Sequence, residues 1–204
     1  EKARELDPQN AESWHSAGLV LQDLGKTPEA LSAYNRALKL DPKNADAWAD
    51  KGDLLIYMMM QNEGLKAIDK AIQLDPNDAN LWANKGAALY LLGNYKKALD
   101  ASEKAIGLEP RHTFAWLNKG LCLYSLGIFQ KALAAFDKTT ELEAKATLAW
   151  HGKAMTLYRL DKTIMALHSV ETALSYDKEN TYFLNTKGVI CFRMGLYEEA
   201  AQAF

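Results

Sequence analysis

Large and small hydrophobic residues alternate along this chain at fixed places. Tryptophan stands at Trp14, Trp48, Trp82, Trp116 and Trp150, at a constant interval of 34 residues, and Leu184 takes the sixth place. Four residues after each comes Gly18, Gly52, Gly86, Gly120, Ala154 or Gly188, and seven after comes Leu21, Leu55, Leu89, Leu123, Leu157 or Cys191. Spacings of three and four put these positions on one helical face. A second set follows at Ala30, Gly64, Ala98, Ala132, Ala166 and Ala200, then at Ala37, Ala71, Ala105 and Ala173, with Thr139 as the exception. Each period therefore predicts two helices packed antiparallel, the small residues where backbones approach and the large ones filling the space beside them.

Punctuation falls at the same interval. Leu24-Gly25, Leu92-Gly93, Leu126-Gly127 and Met194-Gly195 mark the turn inside a repeat, where glycine accepts positive φ. Pro8, Pro42, Pro76 and Pro110 close the second helix, which proline cannot continue. The chain thus reads as one array: residues 1–10 end a preceding repeat, 11–44, 45–78, 79–112, 113–146 and 147–180 are full repeats, and 181–204 is a truncated sixth. Departures cluster in the second repeat (Met58, Met59, Met60 and Gly64) and toward the C-terminus, where Ala144 and Lys178 replace proline and Asp161 replaces the turn glycine. No polar capping helix closes either end, which predicts head-to-tail association between Ala200–Phe204 and the N-terminal helix fragment of another copy.

Composition narrows the function classes. The 24 Lys and Arg nearly balance 26 Asp and Glu, a net charge of −2, so no basic field favours nucleic acid. Charged residues, Gly and Pro interrupt every apolar stretch before it could span a bilayer, which excludes a membrane-crossing helix. Cys122 and Cys191 lack ligand spacing and sit in apolar helical pattern, compatible with a reducing, cytoplasmic setting. His15, His112, His151 and His168 are dispersed, and no nucleophile set, phosphate loop or metal motif appears. The expectation is no enzyme, no cofactor and no metal.

The pattern W-x-x-(K)-G-x-x-(L/Y), with A at the later places and P at the end, resembles the tetratricopeptide repeat along the whole chain. It departs at the residue three after the tryptophan, which is Lys51, Lys85, Lys119, Lys153 and Lys187 after Ala17. We read these lysines as a packing variant that lays methylenes on a neighbouring helix with the ammonium in water, similar to prokaryotic or archaeal members. The resemblance implies an all-α, right-handed superhelical solenoid of antiparallel helix pairs whose first helices line a concave groove. It implies a protein or peptide partner.

Positions two before, one after, five after and eight after each tryptophan share a stripe that the family turns to its groove. The early repeats supply Asp46 and Asp53, with Asp50 adjacent, and the third supplies Tyr90. Later repeats supply Phe114, Leu117, Tyr124, Leu148, His151, Tyr158, Tyr182 and Asn185, an apolar and aromatic end edged by Arg159 and Arg193. The lysine and asparagine that clamp a terminal carboxylate in chaperone-type members are absent. Asn84 and Asn118 match two rungs of the asparagine ladder that superhelical members use to bond a peptide backbone. Three functions fit: a scaffold gripping a partner segment, a self-assembling module, or a targeting module of a larger protein.

Overall fold

The computed structural model describes residues 9–204, which fold into twelve helices and no strands. In chain order these are α1 (Ala11–Asp23), α2 (Thr27–Leu40), α3 (Ala45–Tyr57), α4 (Gln61–Leu74), α5 (Ala79–Leu91), α6 (Tyr95–Leu108), α7 (Thr113–Ser125), α8 (Phe129–Leu142), α9 (Thr147–Arg159), α10 (Thr163–Tyr176), α11 (Thr181–Arg193) and α12 (Tyr197–Ala203). First helices of 13 residues alternate with second helices of 14 until the short α12. The chain divides into two compact units, one ending at Asn94 and one running from Tyr95 to Phe204. The helix tail expected at residues 1–10, and with it Pro8, falls almost wholly outside the described residues.

Local chemistry sets the helix ends. Asn10, Asn44, Asp78 and Asn180 cap α1, α3, α5 and α11 by accepting a first-turn N–H on the side-chain oxygen. His112 does the same for α7, its Nδ1 accepting from the Ala115 amide at 3.3 Å. At the turns inside repeats Gly25, Gly93, Gly127 and Gly195 hold φ between 70° and 78°. Met59 and Asp161 occupy the same place with φ of 62° and 60°, so the turn keeps its shape without glycine.

The tryptophans behave differently from the filled core that the repeat pattern suggested. They are half-buried, while the largest fully buried side chains include Tyr34, Ile68, Phe136 and Phe183. Four of the indoles make the same polar contact. Nε1 of Trp48, Trp82, Trp116 and Trp150 donates to the carbonyl of Pro42, Pro76, Pro110 and Ala144, at 2.9–3.0 Å. The acceptor is backbone, which is why Ala144 serves as well as proline and α8 ends at the usual place.

The glycine four after the tryptophan receives a ring or branched chain from the second helix. A Cβ at Gly18 would stand 2.4 Å from the Tyr34 ring, at Gly120 2.6 Å from Phe136, and at Gly52 2.6 Å from Ile68. In the second repeat the two backbones themselves meet, because a Cβ at Gly64 would lie 2.8 Å from the Gly52 carbonyl oxygen. Gly64, a departure in sequence, is thus required by the local backbone spacing.

The lysines correct the packing-variant reading. Nζ of Lys85, Lys119, Lys153 and Lys187 meets a carboxylate of Asp69, Glu103, Asp137 and Glu171 on the preceding second helix, at 2.7–2.9 Å. Lys85, Lys119 and Lys153 also lie over their own tryptophan ring, 4.9–5.3 Å from its centroid. The ammonium is paired rather than left to water. Because the acids are about half exposed, each pair contributes only ~0–1 kcal/mol and acts mainly to fix register between repeats.

Candidate functional site

In the unit ending at Asn94, the acidic positions lie on α3, between the first helices α1 and α5 that supply their partners. Asp46 is exposed at the start of α3. Asp50 accepts a hydrogen bond from Nε2 of His15 at 2.5 Å. Asp53 takes the Asn84 amide, Nδ2 donating to Oδ2 at 2.7 Å. Burial, and then the neighbouring charge of Asp50, push the Asp53 carboxyl up to about 6. Behind them the Tyr34 hydroxyl donates to Gln22 at 3.0 Å, and burial with the Asp50, Asp23 and Asp53 charges drives its ionisation far above the usual phenol range. Tyr90, on α5, is half-buried. Of the three aspartates, only Asp46 is exposed and without a partner of this kind.

In the unit from Tyr95, three exposed apolar residues occupy the second position of successive first helices: Phe114 (43% exposed), Leu148 (58%) and Tyr182 (77%). Further along the same faces, Tyr124, Met155, Tyr158, Asn185 and Val189 border a hollow of about 170 Å³. Arginine rims it. The Arg159 guanidinium lies 4.6 Å from the Phe129 ring, and that of Arg193 lies 4.8 Å from the Tyr158 ring while it pairs with Asp161. Tyr124 meets Phe129 edge-on at 5.6 Å. Leu117 is half-buried and packs on the cluster around Phe136, so it belongs partly to the core.

His151 is half-buried between repeats. Its Nε2 lies 2.8 Å from the Thr186 hydroxyl and its ring 4.8 Å from Phe183, and burial lowers its pKa. Burial also pushes the Cys122 thiol up to about 12, which leaves it an inert small hydrophobe. Among the described residues no group of three His, Cys, Asp or Glu could hold a metal ion. None of their helices is long and apolar enough to cross a membrane.

Three family profiles match the sequence: TPR repeat over residues 18–56, tetratricopeptide repeat over 45–78, and anaphase-promoting complex, cyclosome, subunit 3 over 62–139. The chain is a tetratricopeptide repeat protein. Among solved structures it is similar to YrrB, a TPR protein with an unusual peptide-binding site, at 25% identity over 91% of this chain and 96% of that one, with a TM-score of 0.70. PilF of Pseudomonas aeruginosa is 22% identical over 95% and 88%, with a TM-score of 0.83. The anaphase-promoting complex assembly Cut9–Hcn1 superposes at a TM-score of 0.91, with 15% identity over 99% of this chain and 40% of that one. No curated protein matches the sequence.

Within these tetratricopeptide repeats, the place two after the tryptophan is used internally, which corrects the open asparagine ladder. Asn118 is buried, only 4% exposed, and Asn84 is spent on Asp53. The same place holds Asp50 on His15 and Thr186 on His151, each 35 residues from its partner. At Gly152 it is covered by the Phe136 ring. At Asp50, Asn84 and Thr186 the side chain therefore reaches the preceding first helix. The sequence signal, a polar pair at an offset of 35, was present but only meaningful once neighbouring repeats were superposed.

Proposed function

We propose that this chain is a protein-interaction scaffold in which the faces of α7, α9 and α11 hold an apolar segment of a partner protein. The observation that carries this reading is the row Phe114, Leu148 and Tyr182, exposed on three consecutive first helices, running on to the arginine-rimmed hollow at Tyr158 and Val189. Contiguous exposed apolar surface of this kind marks an interaction site. An amphipathic helix or extended strand would bury its side chains along the row, with Asn185 exposed beside it to bond backbone. YrrB, a similar repeat protein with a peptide-binding site, supports a peptide as the ligand class. In the other unit, exposed Asp46 is the carboxylate best placed to meet a basic residue.

The test is a displayed-peptide selection against the whole chain, followed by titration of the selected peptide. Replacing Val189 with Asp, or Leu148 and Tyr182 together with Ser, weakens that peptide by about tenfold or more while the helical spectrum is unchanged. Equal affinity for all three proteins sinks the site. Sedimentation at rising concentration separates the rival reading: mass that grows with concentration, and falls back in Val189→Asp, assigns the same face to another copy of the chain.

A further inference from the structure

The inter-repeat ion pairs follow a strict rule of place. Lys85, Lys119, Lys153 and Lys187 each find an acid sixteen residues earlier, at Asp69, Glu103, Asp137 and Glu171. For Lys51 that place is Asn35. Among the described residues Lys51 makes no ion pair, yet its ammonium keeps the position of the others, 5.0 Å from the centroid of the Trp48 ring. Burial lowers its pKa, as expected for an ammonium held away from water with no counter-charge.

Open space lies beside the unpaired ammonium. Asn35 on α2, Trp48, Lys51 and Leu55 on α3, and Lys66 and Lys70 on α4 border a cavity of about 520 Å³. Its size falls in the usual range for small-ligand pockets, roughly 300–1,000 Å³. Three lysines face Glu63 as the one acid of the lining, and Glu63 is exposed on the outer turn of α4. The Lys70 ammonium donates to the Gln73 side-chain oxygen at 3.3 Å and keeps its charge, so it adds to the positive field around Lys51 and Lys66. Trp48, Leu31 and Leu55 supply apolar wall beside them. This cavity is bordered by two second helices and by the Trp48–Lys51–Leu55 face of α3, off the stripe of first-helix positions considered for a partner segment, so it stands or falls independently of that proposal.

We propose that this cavity binds a carboxylate carried on an apolar body, the carboxylate lying beside Asn35 and supplying Lys51 with the counter-charge that Asp or Glu supplies in the other repeats, the apolar body lying on Trp48 and Leu55. Lys66 adds a second cation. The Asn35 amide donates to the carboxylate's outer oxygen, a role that an acid at this place could not fill.

The chain itself supplies the decisive variant. Asn35→Asp gives Lys51 the partner that the other four lysines possess, so it closes the site without disturbing the fold. Binding is read from the indole N–H resonance of Trp48, assigned with Trp48→Phe, using 3-phenylpropionate as probe and 3-phenylpropionamide as its neutral counterpart. The carboxylate gives a saturable shift that weakens with added salt, and the amide binds at least about tenfold more weakly. Asn35→Asp and Lys51→Met each lose about tenfold or more, with Asn35→Asp melting no lower than the wild type. An acetylated tripeptide ending in a Phe carboxylate distinguishes the two sources of the ligand: affinity above that of the free acid assigns the pocket to a chain terminus, equal affinity to a small organic acid. Equal shifts from acid and amide, unchanged affinity in Asn35→Asp, or no saturable shift overturn the proposal.

Discussion

The ring of Phe136 is held between two glycines of different repeats, and this makes a quantitative prediction. Phe136 is fully buried, and a Cβ added at Gly120 would lie 2.6 Å from the ring and at Gly152 2.5 Å from it. Ordinary carbon contacts begin near ~3.5 Å, so Gly152→Ala forces about an ångström of movement on a ring with no free space. Overpacking of that kind costs about 1–3 kcal/mol. Alanine's better helix propensity offsets up to ~1 kcal/mol, leaving a net loss of about 1–2 kcal/mol. Phe136→Ala alone costs about 3–5 kcal/mol, the transfer and cavity terms of a large core aromatic. In the double variant the methyl introduced by Gly152→Ala enters the emptied space, the clash disappears and the helix gain stays. The pair is then less destabilised than the sum of the singles by about 1–3 kcal/mol. Urea titrations followed by circular dichroism and by the fluorescence of neighbouring Trp116 and Trp150 measure all four corners of the cycle. Additivity to within ~0.5 kcal/mol would refute the placement of the ring between the two glycines.

Three further outcomes follow from single residues. Met59→Gly relieves a left-handed backbone at φ 62° that costs a non-glycine residue ~1–2 kcal/mol, against ~0.5–1 kcal/mol of lost chain entropy, so it stabilises by about 0.5–1 kcal/mol and raises the melting temperature; Asp161→Gly gains less, because it also removes the partner of Arg193. A melting temperature lowered by Met59→Gly would contradict this. Asp53 has a folded pKa of about 6, above its ordinary value of 3.8, so the folded state holds the proton more tightly than the unfolded chain. Its contribution is greatest below pH 4, declines as pH rises to about 6 and is flat above, by roughly 3 kcal/mol at most and less by whatever the Asn84 hydrogen bond returns. Asp53→Asn is therefore more stable than the wild type at pH 7 and equal to it near pH 4; the same urea-midpoint gap at both pH values would refute the linkage.

What the sequence revealed and what it concealed have a physical division. Within one helix, periodicity of three and four determines which residues share a face, so the stripe through Phe114, Leu148 and Tyr182 was legible and the structure leaves all three exposed. Turn chemistry was legible for the same local reason. Contacts between repeats depend on how one helix pair sits on the next, and a single helix does not encode that. Asn118 and Asn84 therefore looked available, although one is buried and the other bonded to Asp53. The lysines looked solvated, although their acids stand at a constant offset of sixteen. Each of these inter-repeat pairs has a fixed sequence offset, so comparing charges across equivalent places would have found them.

The same comparison separates two kinds of departure from the repeat. Some are compensated where they occur. Ala144 replaces proline, but its carbonyl still accepts from Trp150; Gly64 replaces alanine where the Gly52 carbonyl leaves no room for a Cβ. Such changes restore the packing and carry no information about a ligand. Others have no compensation within the described residues: Asn35 leaves Lys51 without its acid, and Phe114, Leu148 and Tyr182 leave apolar area in water. An uncompensated departure costs stability in the isolated chain, by an ion pair in the first case and by exposed hydrophobic surface in the second. A ligand that supplies what is missing gains that same free energy as affinity. In the scaffold proposed above, whose repeated positions are occupied by packing, recognition therefore falls on the places where the repeat fails and nothing in the described residues makes good the failure.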